Sequence, residues 1–464
     1  MESIGPAMLC LPRDLALSVD LYELTMLEVY LREGLTESAV FSLFVRRLPP
    51  RRNFLLGCGL ADALEALEAL SFSDESIAYL KSLRLFSEPL LEWLRAFRFQ
   101  GDVFAIPEGT CVFAEEPLLE VVAPLPQAQL LETLLLNQLQ LPTATASKAA
   151  RQVLAADHRS LVDFGMRRAH GLDAALKIAR AAYVAGFQGT SSVLAAQRHG
   201  IPAVGTMAHS FVLAHEDELS AFRAFARAYP EATLLVDTYD TLEGVRNVIR
   251  LAKELGKDFR VRAIRLDSGD LVALSREARR LLDGAGLNQV GISASGGIDE
   301  EEILRCAETR APISGFGVGT SLAVSQDAPS LDMVYKLVAY AGRAKMKLST
   351  DKVTVPMQKQ VFRVGRNGRT ERDVIACHDE ALEGRPLLTQ VMSRGRRLTT
   401  PDSLDRLRER ARGELAALPQ EIRSLETPPQ PFPVELSAKL AALKEKVTAE
   451  ISPPNPGGSG GVAR

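Results

Sequence analysis

Between about Ser160 and Tyr335, short apolar runs alternate with amphipathic stretches, and this alternation constrains the fold more than any other feature of the chain. Apolar strands that alternate with amphipathic helices form βαβ units, which build a parallel sheet. The number of repeats favours a closed or partly closed β/α barrel over a small doubly wound sheet. The predicted strands are Leu161–Phe164, Ala203–Thr206, Thr233–Val236, Val261–Leu266, Gln289–Ala294 and Ile313–Val318. The predicted helices are Asp173–Ala185, Glu216–Tyr229, Leu242–Leu255, Leu271–Leu282 and Glu300–Thr309.

The segments before and after this alternation have the pattern of mixed α+β structure. Asp20 and Glu23 fit a capping box, in which two side chains satisfy N–H groups at a helix start. Further predicted strands are Val40–Val45, two or three within Gly101–Val122, and Val353–Val355 and Gln360–Val364, which we expect to return and pair with the N-terminal domain. Further predicted helices are Leu130–Leu139, Thr143–Ala156, Asp405–Leu415 and Glu435–Val447.

The chain has 464 residues, more than one ordinary hydrophobic core supports, so we expect at least two domains. We predict an α/β protein with a β/α barrel-like domain at residues 159–338 and an N-terminal α+β domain at residues 1–158. Residues 339–452 are expected to hold the returning strands and a C-terminal helical segment. Residues 453–464 are rich in Pro, Gly and Ser, which predicts a disordered tail.

Charge and composition argue against several classes of protein. The 55 basic and 58 acidic residues give a formal net charge of -3, which argues against a main role in coating nucleic acid or an anionic membrane. No apolar run is long enough to cross a bilayer, and we expect no secretory signal. The five cysteines are odd in number and far apart, which argues against disulfides and thiolate zinc sites. We therefore expect a cytoplasmic globular protein with reduced thiols.

Most of the predicted barrel strands end in polar or glycine-rich sequence. In parallel α/β architectures, ligands bind at the carboxyl ends of the strands. Six such ends in series therefore predict one ring-shaped site. The segments are Gly165–Arg168, His209–Ser210, Asp237–Asp240, Asp267–Asp270, Ser295–Gly297 and Gly319–Thr320.

Two glycine-rich strand ends late in the barrel have the residues of a phosphate site. Ser295, Gly296 and Gly297 precede a helix start, and Gly319 and Thr320 follow the next strand. Glycines let backbone N–H groups approach phosphate oxygens, and a helix start adds a favourable dipole. Either segment alone fits an ordinary turn that needs positive φ. Their pairing late in the barrel favours phosphate binding.

Charged side chains follow three further strands. Arg167 can grip phosphate with a fork of N–H donors, although a surface salt bridge is the alternative. Asp237 and Asp267 have the hard oxygens that suit Mg²⁺, a cation that also takes ligands from substrate phosphates. Asp240 and Asp270 fit the commoner role of helix N-caps.

Arg265 and His209 are the other candidate site residues. Arg265 lies two residues before Asp267, so both side chains point to the same face of their strand. A charge placed there needs a partner, and a substrate carboxylate or a protein group would serve equally well. His209 closes the predicted strand at Ala203–Thr206. Imidazole titrates near neutral pH, so His209 can act as base, acid or phosphoryl acceptor, or can bond a backbone carbonyl in a structural role.

Several stretches of the sequence resemble nicotinate phosphoribosyltransferase. The resemblance runs in order from about Asp20 to about Val364, and the motifs around Tyr22 and His209 are individually specific. Val19 stands where family members often carry a threonine, and we expect this difference to be tolerated. The stretches are Asp20–Met26, Asp163–Arg168, Gly205–Ser210, Leu266–Leu271, Ser295–Asp299 and Phe316–Thr320.

The resemblance implies a fold and a reaction. The fold would be that of a type II phosphoribosyltransferase, with a barrel-like domain and a second domain assembled from both chain ends. The reaction would join nicotinate to 5-phosphoribosyl 1-diphosphate, giving nicotinate mononucleotide and diphosphate in NAD biosynthesis. The resemblance also implies coupled hydrolysis of ATP, with Mg²⁺ as the cofactor.

The resemblance also implies roles for individual residues. The family's phosphorylated histidine falls on His209, and its nicotinate contacts fall on Tyr22, Thr206 and Arg265. A contact to the phosphoribosyl phosphate falls on Thr320. In the family the residue at Tyr22 comes from the neighbouring subunit, which implies a homodimer with shared active sites.

Other functions remain open from the sequence. A sister enzyme could use quinolinate, whose two carboxylates should demand more basic residues, or nicotinamide, for which we expect an acidic group near Tyr22. A barrel aldolase or isomerase would need a catalytic lysine or glutamate at a strand end. A regulatory homologue with a dead site is the non-enzyme alternative. Because His209, Arg265 and Asp267 are all present, we expect an active enzyme in which His209 and Asp267 are catalytic.

Overall fold

A computed structural model describes residues 12–349 and 352–452 of the chain. The predicted tail at residues 453–464 lies outside the described residues. None of the helices in the described residues is both long and apolar enough to cross a membrane. Four cysteines lie in the described part of the chain, and all four are free and buried, as the sequence predicts: Cys58, Cys111, Cys306 and Cys377.

The N-terminal segment combines helices with short and long strands. A 3-10 helix at Pro12–Leu17 precedes the first α-helix. The strands are β1 (Ser38–Val45), β2 (Leu55–Leu56), β3 (Asp102–Ala105), β4 (Cys111–Val112) and β5 (Pro117–Pro124). The helices are α1 (Leu21–Arg32), α2 (Leu60–Ala69), α3 (Asp74–Ser82), α4 (Glu88–Ala96), α5 (Leu125–Gln129) and α6 (Glu132–Ala156).

Two local predictions for this segment are wrong. Asp20 and Glu23 do not cap α1, because both carboxylates accept hydrogen bonds from the Thr133 hydroxyl instead. The helices predicted at Leu130–Leu139 and Thr143–Ala156 are one continuous helix, α6, which carries Pro142 in its interior. Proline normally breaks a helix, but the residues after it in α6 are almost all buried. Tertiary packing therefore overrides the local signal.

The middle segment alternates strands and helices, as the sequence predicts. Short 3-10 helices occur at Met166–Arg168 and Gly256–Asp258. The strands are β6 (Ser160–Asp163), β7 (Gly189–Thr190), β8 (Thr233–Leu235), β9 (Ala263–Leu266), β10 (Gly291–Ala294) and β11 (Gly315–Val318). The helices are α7 (Leu172–Ala185), α8 (Val193–His199), α9 (His209–Leu213), α10 (Glu218–Ala228), α11 (Thr241–Leu255), α12 (Leu271–Gly284), α13 (Glu300–Glu308) and α14 (Thr320–Ala323).

These six strands form one curled parallel sheet in the order β7-β6-β11-β10-β9-β8. The predicted barrel-like domain is therefore confirmed as a half-barrel. The predicted strand at Ala203–Thr206 is wrong, since only a single parallel bridge joins Ala203 to Thr190. Pro202 lacks an N–H donor, which limits pairing there. His209 consequently begins α9 rather than ending a strand.

The C-terminal segment supplies strands to two sheets. The strands are β12 (Met333–Tyr340), β13 (Arg343–Ala344), β14 (Lys359–Arg366), β15 (Arg369–Cys377), β16 (Arg385–Pro386), β17 (Thr389–Ser393), β18 (Arg396–Arg397) and β19 (Val434–Leu436). The helices are α15 (Leu404–Ala417), α16 (Gln420–Arg423) and α17 (Ala438–Ile451). The strand predicted at Gln360–Val364 is confirmed within β14, whereas Val353–Val355 is not in a strand.

A seven-stranded sheet joins the two ends of the chain in the order β13-β12-β1-β5-β3-β17-β18. It confirms the prediction of a second domain built from both chain ends. Strand β14 was expected in this sheet but lies in a four-stranded sheet of order β16-β14-β15-β19. That sheet is still tied to the N-terminal domain, because Lys359 of β14 forms a buried ion pair with Glu120 of β5 at 3.0 Å. The boundaries predicted between domains stay predictions.

Tyr335 connects β12 to the N-terminal elements, so its truncation should destabilise the domain built from both ends. Its buried ring stacks on Phe41 at 4.8 Å, and its hydroxyl donates to the Ala128 carbonyl at 2.8 Å. We expect Tyr335→Phe to lower the free energy of unfolding by about 1 kcal/mol, and Tyr335→Ala by about 3–5 kcal/mol. Denaturant titration followed through Trp93 measures this. Tyr79→Ala is the control, because Tyr79 is 55% exposed. Equal losses for the two alanine variants would contradict the assignment.

Candidate active site

The carboxyl ends of β9 and β10 hold a connected group of polar side chains. In β9, the Arg265 guanidinium donates to Asp267 Oδ1 at 3.1 Å and to the Ser295 hydroxyl at 3.0 Å. Ser295 follows β10, and its hydroxyl in turn donates to Asp267. A third guanidinium N–H donates to the Met207 carbonyl at 2.8 Å. The arrangement links two strand ends with the segment that leads to His209.

Arg265 keeps unused hydrogen-bonding capacity towards the site. A guanidinium has five N–H donors, and three of those on Arg265 are taken by protein groups. Its Nε is buried and has no acceptor within the described residues. Burial lowers the pKa of Arg265 from its usual value, while the Asp267 and Asp237 carboxylates oppose that effect. Arg265 therefore pairs with protein groups and also retains donors for an anionic ligand.

His209 lies beside Asp267 at the mouth of the half-barrel. Its Nε2 is 3.7 Å from Asp267 Oδ2, and its Nδ1 is 3.2 Å from the Thr238 hydroxyl. The side chain is 41% exposed, so a ligand can reach it. Thr238 follows β8 inside the polar segment Asp237–Asp240, where no feature of the sequence distinguishes it from its neighbours. A hydroxyl on one ring nitrogen helps to fix the orientation of the imidazole.

Asp237 and Asp267 are adjacent, as the metal prediction requires. One oxygen of Asp237 accepts from the Asp267 N–H at 2.9 Å and from the Ser268 hydroxyl at 2.6 Å. The other oxygen is buried and has no partner within the described residues. Such an oxygen fits a hard cation that takes its remaining ligands from water and phosphate. No cluster of three or more metal-binding side chains occurs in the described part of the chain.

The neighbouring acidic residues have the alternative role that the sequence suggested. Asp240 caps α11, accepting from the Glu243 N–H at 2.8 Å. Asp270 caps α12, accepting from the Val272 N–H at 3.1 Å. Their carboxylates are thereby committed to helix starts.

The two glycine-rich strand ends are adjacent in the sheet, because β10 pairs with β11. Gly296 has φ +82, and a Cβ there would overlap the Asp267 carbonyl, so only glycine fits. Gly297 also has positive φ, at +66. The hydroxyl of Ser321, in the first turn of α14, donates to the Ile298 carbonyl and joins the two segments. Gly319 and Thr320 open α14 beside them.

Arg167 lies in the 3-10 helix after β6, with its side chain exposed. The buried carboxylate of Asp163 supports this turn, accepting from the Gly165 N–H at 2.7 Å and from the Thr190 hydroxyl at 2.7 Å. Burial raises the pKa of Asp163, and these two hydrogen bonds oppose the rise. The sequence signal for the role of Asp163 is a carboxylate within an otherwise apolar run, Leu161–Phe164.

Tyr22 is not brought to this group of residues within the described chain. It lies on α1 and is 45% exposed. Burial raises the pKa of its hydroxyl, and the nearby carboxylates of Glu132, Glu23 and Asp20 raise it further. Burial also raises the pKa of Glu23 to about 7. Thr206, by contrast, lies in the segment before His209, where its hydroxyl donates to the Met207 carbonyl at 3.3 Å.

Large apolar side chains are exposed around the mouth of the half-barrel. They follow β6, β7 and β8 or flank His209, so they share the end of the sheet at which the site lies. Exposed apolar side chains grouped in this way are typical of a contact surface. The residues are Leu172, Val193, Val204, Leu213 and Tyr239.

The chain matches known families along most of its length. Residues 17–140 match the nicotinate phosphoribosyltransferase N-terminal domain, residues 159–367 the nicotinate phosphoribosyltransferase family, and residues 380–444 the nicotinate phosphoribosyltransferase C-terminal domain. The chain is 52% identical over 443 residues to nicotinate phosphoribosyltransferase pncB2 of Mycobacterium tuberculosis (strain H37Rv), covering 94% of this chain and 96% of that protein. It is 33% identical over 524 residues to human nicotinate phosphoribosyltransferase, covering 94% and 97%.

Solved structures agree with this match. The crystal structure of human nicotinic acid phosphoribosyltransferase superposes with a TM-score of 0.83 at 31% identity, covering 92% of this chain and 99% of that one. A nicotinate-nucleotide pyrophosphorylase from Pyrococcus furiosus superposes with a TM-score of 0.73 at 24% identity, covering 88% and 97%, which shows a shared fold. The similarity extends over both domains and the strand ends described above. The chain belongs to the nicotinate phosphoribosyltransferase family.

Proposed function

We propose that this protein joins nicotinate to 5-phosphoribosyl 1-diphosphate, forming nicotinate mononucleotide and diphosphate, and that it couples this reaction to ATP hydrolysis through a phosphohistidine at His209. The observation that carries the proposal is the single group formed by Arg265, Asp267, Ser295 and His209 at the carboxyl ends of the sheet. Family membership gives this group its reaction class.

Nicotinate is proposed to bind through its carboxylate to Arg265. The free Nε–H and the remaining terminal N–H of Arg265 form a fork that matches two carboxylate oxygens. Thr206 lies on the same segment as Met207, whose carbonyl Arg265 contacts, so its hydroxyl is within the same region. The pyridine ring would then lie between Arg265 and the mouth of the half-barrel, where an aromatic side chain can stack on it.

The phosphoribosyl diphosphate is proposed to bind across the glycine-rich ends. Backbone N–H groups of Gly296, Gly297 and Gly319 and the Thr320 hydroxyl would hold the 5-phosphate. Arg167 would contact the diphosphate. Asp237 and Asp267 would hold Mg²⁺, which supplies neutralisation of the leaving group's charge when bound. The ring nitrogen of nicotinate then bonds to C1 of the ribose as the C1–oxygen bond breaks and diphosphate leaves.

His209 is proposed to accept the γ-phosphoryl group of ATP. A ring nitrogen of neutral His209 bonds to phosphorus as the bond to the β-phosphate oxygen breaks and ADP leaves. Asp267 faces Nε2 and Thr238 faces Nδ1, so the protein can hold the ring while its charge changes. Water later cleaves the nitrogen–phosphorus bond and releases phosphate. The added negative charge in the meantime can organise the cation beside Asp237.

Nicotinamide is the second candidate substrate, because a specific observation favours it. Acidic residues lie near Tyr22, as expected for recognition of an amide. Those carboxylates have partners in the protein, however: Asp20 and Glu23 accept from Thr133, and Glu132 pairs with Lys336 at 3.1 Å. The free donors of Arg265 favour nicotinate.

We further propose that the protein acts as a homodimer with shared sites. Tyr22 is separated from His209 within one chain, yet it lies on an exposed apolar face of α1 with Leu21 and Val29. The exposed apolar rim around the half-barrel mouth offers a matching surface on a second copy. Docking the two surfaces would bury both and would bring Tyr22 of one protomer over the Arg265 of its partner.

A side-by-side assay with three pyridines tests the substrate. We expect product from nicotinate, faster with Mg-ATP, and little from nicotinamide or quinolinate, because only nicotinate presents one carboxylate to Arg265. Arg265→Ala should raise the KM for nicotinate by about tenfold or more, since it removes a charge-assisted contact. Chromatography of the products measures both. Preferential use of nicotinamide or quinolinate, or an unchanged KM, would overturn the assignment.

Labelling with γ-³²P-ATP tests the phosphohistidine. Wild-type protein should acquire acid-labile, base-stable label, and His209→Ala should acquire none, because the accepting nitrogen is gone. His158→Ala is the matched control, since His158 is 99% exposed and lies at the other end of the sheet. Normal labelling of His209→Ala would place the phosphoryl group elsewhere.

Mixing two inactive variants tests the shared site. In the proposed dimer, each site takes Tyr22 from one protomer and His209 from the other. A dimer with one Tyr22→Ala chain and one His209→Ala chain therefore has one site with both residues intact and one site with both replaced. Random exchange should restore about one quarter of wild-type turnover, because about half of the dimers are mixed and each has one working site of two. Turnover that stays at the level of the separate variants, despite subunit exchange shown by mass spectrometry, would contradict sharing.

A further inference from the structure

A second cleft lies at the amino ends of the barrel strands, at the opposite end of the parallel sheet from His209. It has a volume of about 670 Å³, is open to solvent on one side, and is lined by the turn between α6 and β6, the C-terminus of α7, and helix α15. Leu154, Leu161 and Leu415 form part of an apolar floor. We refer to it as the basal cleft. Its volume lies in the range of sites that hold small molecules.

Arginine side chains line the rim of the basal cleft, and two of them are committed to the protein. Arg408 donates to three carbonyls at the end of α7, including Gly186 at 2.8 Å, and lies over the Tyr183 ring at 4.7 Å. Arg412 faces Glu409 at 3.6 Å and is 81% exposed. The Arg408 contacts attach α15 to the barrel, whereas the Arg412 contact lies within α15.

Arg423 and Arg159 keep free donors. The part of the chain that the structure describes offers the Arg423 guanidinium no hydrogen bond or ion pair, although its Nε is buried. Arg159 donates to the Ile313 and Ala156 carbonyls, while Asp157 approaches only to 4.0 Å, so one terminal nitrogen of Arg159 has no acceptor among the described residues. A buried N–H without an acceptor is unfavourable, so the buried Nε of Arg423 indicates an anion that comes from outside the chain, and Arg159 offers a second free donor beside it.

We propose that the basal cleft binds a phosphate-bearing molecule of mononucleotide size. The guanidinium fork of Arg423 and the free terminal nitrogen of Arg159 match phosphate oxygens, and the apolar floor around Leu154 suits a heteroaromatic ring. A bare anion could pair with Arg423 but would leave the apolar floor exposed to water. An uncharged ring could cover the floor but would leave the Arg423 guanidinium without a partner. The site is separate from the proposed reaction, because β6 lies between the cleft and the turn that carries Arg167.

Calorimetric titration with AMP tests the basal cleft, with paired arginine variants at the two ends of the sheet. Binding should be weakened about tenfold or more in Arg423→Ala, which loses a charge-assisted contact, and unchanged in Arg265→Ala at the catalytic end. The thermal midpoint of Arg423→Ala should match that of wild type, because the Arg423 guanidinium has no hydrogen-bond or ion-pair partner among the described residues. Binding lost in Arg265→Ala and kept in Arg423→Ala would overturn the proposal. That result would leave the proposed reaction untouched.

A cleft-filling variant and two partial ligands complete the test. Leu154→Trp places a large ring over the floor without removing a charge, and it should also weaken AMP binding. Adenosine and inorganic phosphate should each bind more weakly than AMP, since each satisfies only half of the cleft. Phosphate that binds as well as AMP would reduce the basal cleft to a simple anion site and overturn the nucleotide assignment. Absence of AMP binding to wild-type protein would overturn it as well.

Discussion

The parallel register between β9 and β10 is the constraint on which the candidate active site depends. Arg265 lies opposite Ser293 and Leu266 opposite Ala294, so the next residues of each chain, Asp267 and Ser295, meet just beyond the strand ends. The Ser295 N–H donates to the Leu266 carbonyl at 2.8 Å, which extends the ladder by one step. A slip of one residue would turn Arg265 to the other face, since side chains alternate along a strand.

Local signals were sufficient for most of this part of the molecule. Strand β9 lies within the predicted Val261–Leu266, and β10 within the predicted Gln289–Ala294, because buried parallel strands are short apolar runs with clear limits. The helix caps at Asp240 and Asp270 follow the same local logic. Since parallel strands place their carboxyl ends together, the candidate residues from separate segments could be grouped before any contact was known.

Interactions between distant segments explain what the sequence left out. The Asp20 and Glu23 carboxylates accept from the Thr133 hydroxyl, and these bonds replace a capping box that looks complete locally. Thr133 belongs to another helix, so the local sequence does not reveal them. Strand β12 pairs with β1, although the whole half-barrel lies between these two strands in the sequence. The partner of β12 therefore depends on the path of the chain, and the hydrophobic pattern of β12 alone does not predict it. Thr238 carries no special signal in the sequence; its importance arises only from its position beside His209.

Two buried polar groups in the candidate site lack hydrogen-bond partners among the described residues, and this costs the folded protein free energy. Arg265 Nε and one Asp237 oxygen have opposite charge character and are both buried, yet neither has a partner within the described residues. If stability alone had shaped the site, pairing such groups would remove two costs at once. A site that keeps a donor and an acceptor unpaired gains free energy when a ligand supplies both a carboxylate and a cation. The buried Nε of Arg265 and the buried oxygen of Asp237 are therefore the two positions at which an anion and a cation would each supply a missing partner.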